Sequence, residues 1–406
     1  MRPVTAITSA MLLAAALSLG AAAQEDWSPR YVPPGSSTTP ATPSAPPSGP
    51  AAPAMPVAPA PAPSSGSTTA KDQELRALAE QFAPVLYHRM AGSDTDHRFD
   101  YPTSFDFDGD WSGSNNWANA ADTQFKMWSY VYYTAIESDD YYFLYYVVFH
   151  PRSWSAQAAG SGGVMDQIQQ TIQKVTGKGQ KPAAAADHEN DLQGVLVIVD
   201  KWTEGGPSVA AVETLAGSQM LRALNPAAQG LTADGAPALR LESGHPALFI
   251  ESQKHDIHPW NGEEATDQEA MVVWRYGKPV EFSRLEGDSS TYELVSLSKT
   301  LWKQAQAAHD RGLTYGTVQD FGDQWCSVTG ARRPACAIGV VGAALRGDYG
   351  VADAATAPWM WTGGDLDPGI WFFDPIQVLR QHFGFDGPKE KYLYHPYLGI
   401  GMGPAR

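Results

Sequence analysis

The sharpest change from polar to apolar positions in this chain falls inside residues 187–200. The segment begins with one imidazole and three carboxyl groups, DHEND, and continues as the apolar run VLVIV. A short β-branched run without helical spacing predicts a buried strand. Polar groups at the end of a rigid strand are held in fixed positions, as a binding site requires. We therefore expect a site where this strand begins.

Several other apolar and aromatic runs predict strands. Two of them form a hairpin whose second arm hardly alternates between polar and apolar residues, so we expect that arm to be covered on both faces. A Gly-Gly-Pro turn joins the 187–200 strand to its next partner. A Gly-Lys pair predicts one further hairpin near residue 277. The predicted strands are 126–136, 141–150, 187–200, 208–214, 247–251, 272–276 and 280–282.

Helical spacing of apolar residues predicts helices at 72–81, 292–309 and 374–381. The last has Asp374 as its cap and Pro375 at its first position. Residues 151–186 are rich in Gly, Ala and Lys and are expected to form a surface loop over the site, with one helical patch at 164–175. The fold expected from these elements is mainly β (α+β), a decorated β-sandwich with peripheral helices.

Composition divides the chain into three parts. Residues 1–23 carry Arg2, an apolar stretch and then small residues, which is typical of a secretory signal peptide. Residues 24–70 are a Pro/Ala/Ser-rich segment, which predicts a disordered linker. Residues 71–406 are the expected β-sandwich-type domain, with helical decorations near its C-terminus. No later run reaches the roughly 18 apolar residues of a membrane span, so we expect a protein that is secreted or held in the periplasm or cell envelope.

Cysteine usage and charge agree with that compartment. Cys326 and Cys336 suit an exported protein, in which they would close one short disulfide loop; two buried free thiols are the alternative. The net charge of -16 argues against nucleic acid or an anionic membrane surface as a partner.

Three clusters of polar residues have the composition of metal sites. The first pairs His188 with Asp191 on one turn, and a polar turn capping the strand is the alternative. The second follows a predicted strand and contains Glu251 and His255, for which a surface loop is the alternative. The third alternates carboxylates around a glycine, as Ca²⁺ sites do, with a solvated acidic turn as the alternative; it comprises Asp106, Asp108 and Asp110.

The ligand types suggest a divalent cation. Oxygen ligands with one imidazole favour Ca²⁺, Mg²⁺ or Mn²⁺, and a second imidazole makes Zn²⁺ a further candidate. The sequence has neither a Gly-x-Ser-x-Gly elbow nor a phosphate-binding glycine loop. If the site is catalytic, Glu189 or Glu251 would serve as the base that activates a metal-bound water.

Four segments resemble the vacuolar-protein-sorting-62-type family and its bacterial secreted relatives: APVLY at 83–87, FHP at 149–151, HENDLQG at 188–194 and IESQKH at 250–255. The order of these segments is more distantly similar to that of the necrosis- and ethylene-inducing peptide-like proteins. Against the Gly-His-Arg-His-Asp-Trp-Glu heptapeptide of those proteins, His188 matches the first His and Asp191 the Asp. Asn190, Leu192 and Gln193 replace its second His, its Trp and its Glu.

The resemblance implies a β-sandwich with a divalent cation that helps to engage glycosylated sphingolipid heads. Together with the residues, it predicts an exported, non-enzymatic, cation-assisted binding protein for a carbohydrate or lipid head group. Four tryptophans near the expected site are suited to stacking on sugars or to the core: Trp111, Trp117, Trp128 and Trp260. A metal-dependent hydrolase of the cell envelope or extracellular space is the alternative, and a structural envelope protein without a small ligand is a third.

Overall fold

The computed structural model describes residues 70–92, 96–155, 187–217, 219–262, 270–310, 318–319, 341–342, 347, 349, 355–361, 366, 369–387 and 390–402. Of 306–310, 318–319 and 341–342 it describes the backbone alone. All of these residues belong to one compact unit, Val57–Arg406. The predicted signal peptide, almost all of the predicted linker, most of the 151–186 insertion with its helical patch, and both cysteines lie outside the described residues.

Twelve strands of the described part form one hydrogen-bonded sheet. The strands are β1 Val85–Met90, β2 Tyr130–Ser138, β3 Tyr141–Ser153, β4 His188–Asp200, β5 Ser208–Ala216, β6 Gln219–Leu224, β7 Leu241–Glu242, β8 His245–Ile250, β9 Ile257–Pro259, β10 Ala270–Tyr276, β11 Ser289–Ser296 and β14 Tyr392–Tyr394. Ten of them run in the order β6-β5-β4-β3-β2-β11-β10-β1-β8-β7, while β14 pairs with β2 and β9 with β8. A separate two-stranded pair consists of β12 Val318–Gln319 and β13 Val341–Gly342.

The helices lie at the periphery of this sheet. They are α1 Ala70–Gln81, α2 Asn116–Ala121, α3 Leu301–Asp310, α4 Ile370–Phe373 and α5 Pro375–His382, with single 3-10 turns at Asp96–Arg98, Phe282–Arg284 and Pro358–Met360. The predicted cap of α5 is observed, since the Asp374 carboxylate accepts a hydrogen bond from the Gln377 amide at 3.3 Å. No helix in these segments is long and apolar enough to cross a membrane.

The central strands are buried on both faces, as the lack of alternation in β3 predicts. Neighbouring residues of β3 point to opposite faces, and each face is covered by a helix. The Tyr145 hydroxyl donates to the carbonyl of Trp371 in α4 at 2.5 Å, and the Tyr146 hydroxyl donates to that of Ala79 in α1 at 2.7 Å. These bonds satisfy phenol groups that burial would otherwise leave unpaired.

The sheet folds back on itself, so that β9 contacts β4, β5 and β6 and β8 contacts β5. Strand β11 joins the two halves of the sheet, because it pairs with β10 on one side and with β2 on the other. It runs parallel to both. The predicted mainly β fold with peripheral helices is confirmed, and its two layers are halves of one sheet. The packing of β9 against β4 and β5 places the 251–256 loop beside the start of β4.

Two predicted elements are wrong. The first part of the predicted 292–309 helix belongs to strand β11. There Tyr292 and Leu294 alternate with more exposed residues and pair in the sheet. Of the predicted helix, only the part within α3 is helical. The segment 280–282, predicted to form a hairpin with 272–276, does not pair with β10, the strand that contains 272–276. The Val280 carbonyl instead accepts a hydrogen bond from the Ser129 amide at 3.0 Å, and the Val280 amide donates to the Ser129 hydroxyl at 2.7 Å. Strand β10 pairs with β1 and β11.

Candidate functional site

An open cleft of about 380 Å³ lies where β4 begins. It is bordered by the ends of β3 and β5, by the 251–256 loop and by the 3-10 turn near residue 360. The lining is mainly polar on the strand side and apolar on the side of the 3-10 turn. The residues are Ser153, His188, Asp191, Leu192, Gln193, Leu215, Gly217, Lys254, Asp256, Thr356, Met360 and Trp361. The start of the 187–200 strand, where the sequence predicts a site, therefore borders a concavity.

Three residues around the cleft hold unusual backbone conformations. Asn190 has a φ of 62°, Gln253 of 67° and His255 of 56°. Residues other than glycine rarely adopt the left-handed region, which is sterically costly for them. The side chain of Asn190 holds it in this conformation. Its Oδ1 accepts a hydrogen bond from the side-chain amide of Asn116 at 2.7 Å, and its Nδ2 donates to the Gly113 carbonyl at 2.8 Å. The surrounding contacts thus fix the geometry of both segments that form the cleft.

The floor of the cleft is connected to a buried histidine. Asp191 lines the cleft, and its Oδ2 lies 2.7 Å from Nδ1 of His255, whose side chain is fully buried. The Nε2 of the same ring lies 3.1 Å from Oδ1 of Asp100. Burial alone lowers the pKa of His255, but the hydrogen bonds and negative charges of the two aspartates outweigh it and raise that pKa to about 9. His255 is therefore an imidazolium shared between two carboxylates.

Two further histidines lie beside His255. His88 comes from β1 and His150 from β3, and both are completely buried. The rings of His150 and His255 stack with centroids 3.6 Å apart, and His88 meets His150 edge-on at 5.1 Å. Burial and the charge of His255 lower the pKa of His88 to about 3, and the same causes lower the pKa of His150. Both rings are therefore neutral.

These two neutral rings are unusual in lacking partners. Among the described residues, no hydrogen-bond partner exists for either nitrogen of His88 or of His150. A buried polar group left unpaired costs about 1–3 kcal/mol, and such groups are rare in folded proteins. In the described segments, the three histidines are the only group of three or more His, Cys, Asp or Glu side chains whose ligand atoms all lie within 4.8 Å of one another.

The predicted metal ligands are only partly brought together. Asp191 and His255 are in contact, and His188 lines the same cleft, where its Nδ1 donates to the Glu189 carbonyl at 2.8 Å. Glu251 is farther out, with its carboxylate 3.0 Å from Nε2 of His258 and 43% of its side chain exposed. Within the described part, the cleft contains no group of three ligand atoms close enough to share an ion. The cation at this set of residues stays a prediction.

The acidic turn at 106–110 is organised by its own hydrogen bonds. Asp108 accepts a hydrogen bond from the side-chain amide of Asn119 at 2.6 Å, and Asp110 accepts one from the backbone amide of Ser112 at 2.6 Å. Burial raises the pKa of Asp106 and of Asp108, which disfavours their charged forms. None of the three aspartates lines the cleft. The turn therefore stays a separate candidate and does not contribute ligands to the cleft.

The two candidate bases have different surroundings. Glu189 points away from the cleft lining, and its carboxylate accepts hydrogen bonds from the backbone amides of Trp117 at 2.7 Å and Tyr349 at 3.1 Å. A carboxylate used in this way ties the start of β4 to neighbouring segments. Glu251 is accessible but pairs with His258, and neither residue lines the cleft. Their catalytic roles stay predictions.

Sequence reasoning missed His88 and His150 as site residues. His88 lies between the inward-facing Leu86 and Met90, and His150 follows Tyr146 and Val148 on the same face, so each resembles a core position. The available signal is an imidazole in such a run without a neighbouring acid or amide to pair with it. Of the predicted stacking residues, Trp111, Trp117, Trp128 and Trp260 are all absent from the cleft lining, which instead contains Trp361.

Comparison with known proteins gives structural similarity only. No family model matches the chain, and no curated protein matches it either. A solved structure titled NLPPya in complex with mannosamine is 18% identical, covering 53% of this chain and 76% of that one at a TM-score of 0.26. The non-toxic HaNLP3 protein is 10% identical, covering 58% and 78%, also at 0.26. Necrosis and Ethylene inducing Protein 2, from the causal agent of cocoa's Witches Broom disease, is 14% identical, covering 57% and 76% at 0.25.

The structures found are therefore of the necrosis- and ethylene-inducing kind, to which the sequence has its more distant resemblance. The vacuolar-protein-sorting-62-type resemblance finds no support in these comparisons. TM-scores this low do not allow site residues to be transferred, so the function has to be argued from the side chains of this chain.

Proposed function

We propose that the cleft binds a carbohydrate, either a free sugar or the sugar head group of a lipid, without transforming it. The observation that supports this proposal is the convergence of hydrogen-bonding side chains of both charge signs on one concavity of about 380 Å³. That volume lies within the range of about 300–1,000 Å³ typical of ligand sites. The export predicted from residues 1–23 would expose the cleft to glycans outside the cytoplasm.

The polar side of the cleft suits a ligand with many hydroxyl groups. Lys254 offers an ammonium group, held 3.2 Å from Asp187, and Asp191 and Asp256 offer carboxylates. In the described structure, Oε1 of Gln193 is buried and has no hydrogen-bond partner, although its Nε2 donates to Asp191 at 3.2 Å. A sugar hydroxyl both donates and accepts, so it can bond to the ammonium and carboxylate groups that line the cleft.

The apolar side of the cleft suits the carbon-hydrogen face of a sugar ring. Trp361 and Met360 form this wall, and Trp361 is fixed by a 2.9 Å hydrogen bond from its indole nitrogen to the Thr356 carbonyl. The indole is 3% exposed, so it offers a narrow, rigid apolar edge that loses little conformational freedom on binding. With two carboxylates to one ammonium, we expect neutral and amino sugars to bind better than acidic sugars.

The test measures binding of neutral, amino and acidic sugars by calorimetry, with glucosamine and mannosamine among the amino sugars. Vesicles with and without a glycolipid separate a lipid head group from a free sugar. Lys254→Met should weaken binding of the best ligand at least tenfold. Lys299→Met is the matched control, since Lys299 is also paired with an aspartate, at 3.0 Å against 3.2 Å, and is similarly exposed. It should change affinity less than twofold.

Two results would contradict the proposal. One is that no sugar or glycolipid binds, and the other is that both lysine variants lose affinity equally. Mass spectrometry of the ligand after incubation distinguishes the hydrolase alternative, because a hydrolase would release a cleaved product. The same titrations with and without a chelator test the predicted cation at His188 and Asp191.

A further inference from the structure

The histidine cluster is assembled from three distant parts of the chain. His88 lies in β1, His150 in β3, and His255 in the loop before β9. One nitrogen of each ring lies within 4.8 Å of a nitrogen of the other two, and all three side chains are fully buried. Folding therefore concentrates three imidazoles in a space closed to bulk solvent.

The free nitrogens of this cluster require a partner that the described protein does not supply. A neutral imidazole always carries one donor and one acceptor. His255 cannot satisfy its neighbours, because both of its nitrogens already bond to Asp191 and Asp100. Within the described segments, four ring nitrogens on His88 and His150 have no partner. A group that binds lone pairs from several imidazoles at once would satisfy the acceptor nitrogen of each neutral ring.

We propose that His88, His150 and His255 bind one divalent transition-metal ion, with Zn²⁺ as the expected occupant. Imidazole nitrogen is a ligand that Zn²⁺ accepts readily, and three imidazoles with one open position is a common zinc arrangement. Ca²⁺ and Mg²⁺ require oxygen ligands and are excluded from this cluster by its chemistry. The site is separate from the cation predicted at His188 and Asp191, and it does not depend on carbohydrate binding in the cleft.

Binding requires a small rearrangement of the rings. Zinc–nitrogen bonds of about 2.0–2.1 Å at tetrahedral angles place ligand nitrogens about 3.4 Å apart, closer than the outer limit of the cluster. The stacked rings of His150 and His255 are nearly parallel, at 12°, so one of them has to turn for both to point at one ion. His150 can turn without breaking a hydrogen bond, since it makes none with the described residues.

His255 becomes a ligand by losing one proton and one carboxylate contact. Its bond to Asp100 is the longer of the two, at 3.1 Å against 2.7 Å for Asp191. Asp100 would remain satisfied, because it also accepts from the Ala91 amide, the Trp154 indole and the Gln253 amide at 2.8, 2.9 and 3.1 Å. Asp191 would keep its bond to the ring and orient it, as carboxylates commonly do for metal-bound histidines. The two carboxylates also balance the charge of a divalent ion.

The experiment uses the full mature chain, purified without a polyhistidine tag, stripped with a chelator and reloaded with Zn²⁺. After removal of free metal, elemental analysis should find one zinc ion per chain in the wild type. His150→Phe and His88→Phe should retain less than a tenth of that amount. His395→Gln is the control, because His395 is also fully buried but hydrogen-bonded outside the cluster, and it should retain the full amount.

Co²⁺ loading and thermal melting give two further readouts. The wild type loaded with Co²⁺ should show visible absorption bands of imidazole coordination, and His150→Phe should not. In chelator, His150→Phe should melt no lower than the wild type, because the change removes unpaired polar atoms from the interior. Only the wild type and the control should gain melting temperature with Zn²⁺.

Three outcomes overturn the proposal. The first is a wild type that retains only traces of zinc. The second is a His150→Phe protein that folds and retains a full equivalent. The third is loss of the ion in His188→Ala but not in His150→Phe, which would place the metal in the cleft. None of these results bears on the sugar titrations, so the two proposals fail independently.

Discussion

At the scale of single residues, the immediate neighbours of each buried histidine decide its charge. His255 has two aspartates within hydrogen-bonding distance and a pKa raised to about 9. His395 is equally buried, and a backbone group is bonded to each of its ring nitrogens. Its Nε2 donates to the Phe373 carbonyl at 2.9 Å, and its Nδ1 accepts from the Leu398 amide at 3.3 Å. That arrangement requires the neutral ring, and burial lowers the pKa of His395 to about 4.

We predict that His395 makes the protein less stable in mild acid. Its pKa is lower in the folded state than in the unfolded state, so the unfolded chain binds the proton first as pH falls. The loss begins near the unfolded pKa of 6.5 and is complete near the folded pKa of about 4. At about 1.36 kcal/mol per pKa unit, this residue accounts for about 3 kcal/mol. Urea unfolding of wild type and His395→Gln between pH 7 and pH 4 measures it, and equal losses in both proteins would contradict the prediction.

At the scale of elements, strand β4 connects the core to the cleft through a close contact. Gly194 lies against the indole of Trp361, one of the cleft residues. A Cβ atom at position 194 would lie 2.5 Å from Cζ3 and 2.6 Å from Cη2 of that ring, and 3.3 Å from the Tyr146 carbonyl oxygen. The absence of a side chain at 194 therefore sets how closely the apolar wall of the cleft approaches the sheet.

Gly194→Ala should displace the Trp361 ring and destabilise the fold by about 1–3 kcal/mol, as overpacking of a core commonly does. It should also weaken sugar binding, because the stacking wall moves. The cost should fall in a Trp361→Phe background, since a phenyl ring lacks both atoms that the new methyl group meets. A double-mutant cycle of unfolding free energies tests this coupling. Additive effects within about 0.3 kcal/mol would show that the two positions do not interact.

At the scale of the whole molecule, the described fold begins with a helix that is anchored to the sheet. Asp72 of α1 accepts a hydrogen bond from the Tyr394 hydroxyl at 2.8 Å and pairs with Lys299 at 3.0 Å. At the other end of α1, the Ala79 carbonyl accepts from Tyr146 at 2.7 Å. These contacts tie the first helix to both a C-terminal strand and the core.

Limited trypsin digestion should therefore spare Arg76 in the middle of α1. Trypsin has only Arg30 to cut within 24–70, so a protease of broad specificity is used for trimming; the Pro/Ala/Ser-rich composition predicts that it removes this segment and leaves a core beginning near Lys71. The trimmed core should keep the melting temperature of the mature chain. Asp72→Ala should speed cleavage at Arg76, because helix α1 then lacks its anchor. Loss of the cooperative melt after trimming of the wild type would contradict the prediction.

The sequence alone determined the properties that depend on neighbouring positions. The apolar run after Asn190 is a buried strand, the aromatic hairpin is β2 with β3, and Asp374 caps a helix, because each depends on local spacing and turn chemistry. The polar cluster around His188 and Asp191 does border a cleft, since it ends a rigid strand. Local spacing misled at 292–296, where apolar residues fit both a helical and an alternating pattern.

Only the tertiary structure decided which distant residues meet. The parallel pairs of β1 with β8 and of β11 with β2 join segments far apart in sequence, and no local pattern encodes their order. Those pairings bring His88 and His150 against His255, and Asp100 against the loop that carries it. In the strand pattern His88 follows Leu86 and His150 follows Val148 at inward positions, and nothing local links either of them to His255. Their unsatisfied nitrogens arise from packing, because burial in the folded chain removes the water that would otherwise hydrogen-bond to them.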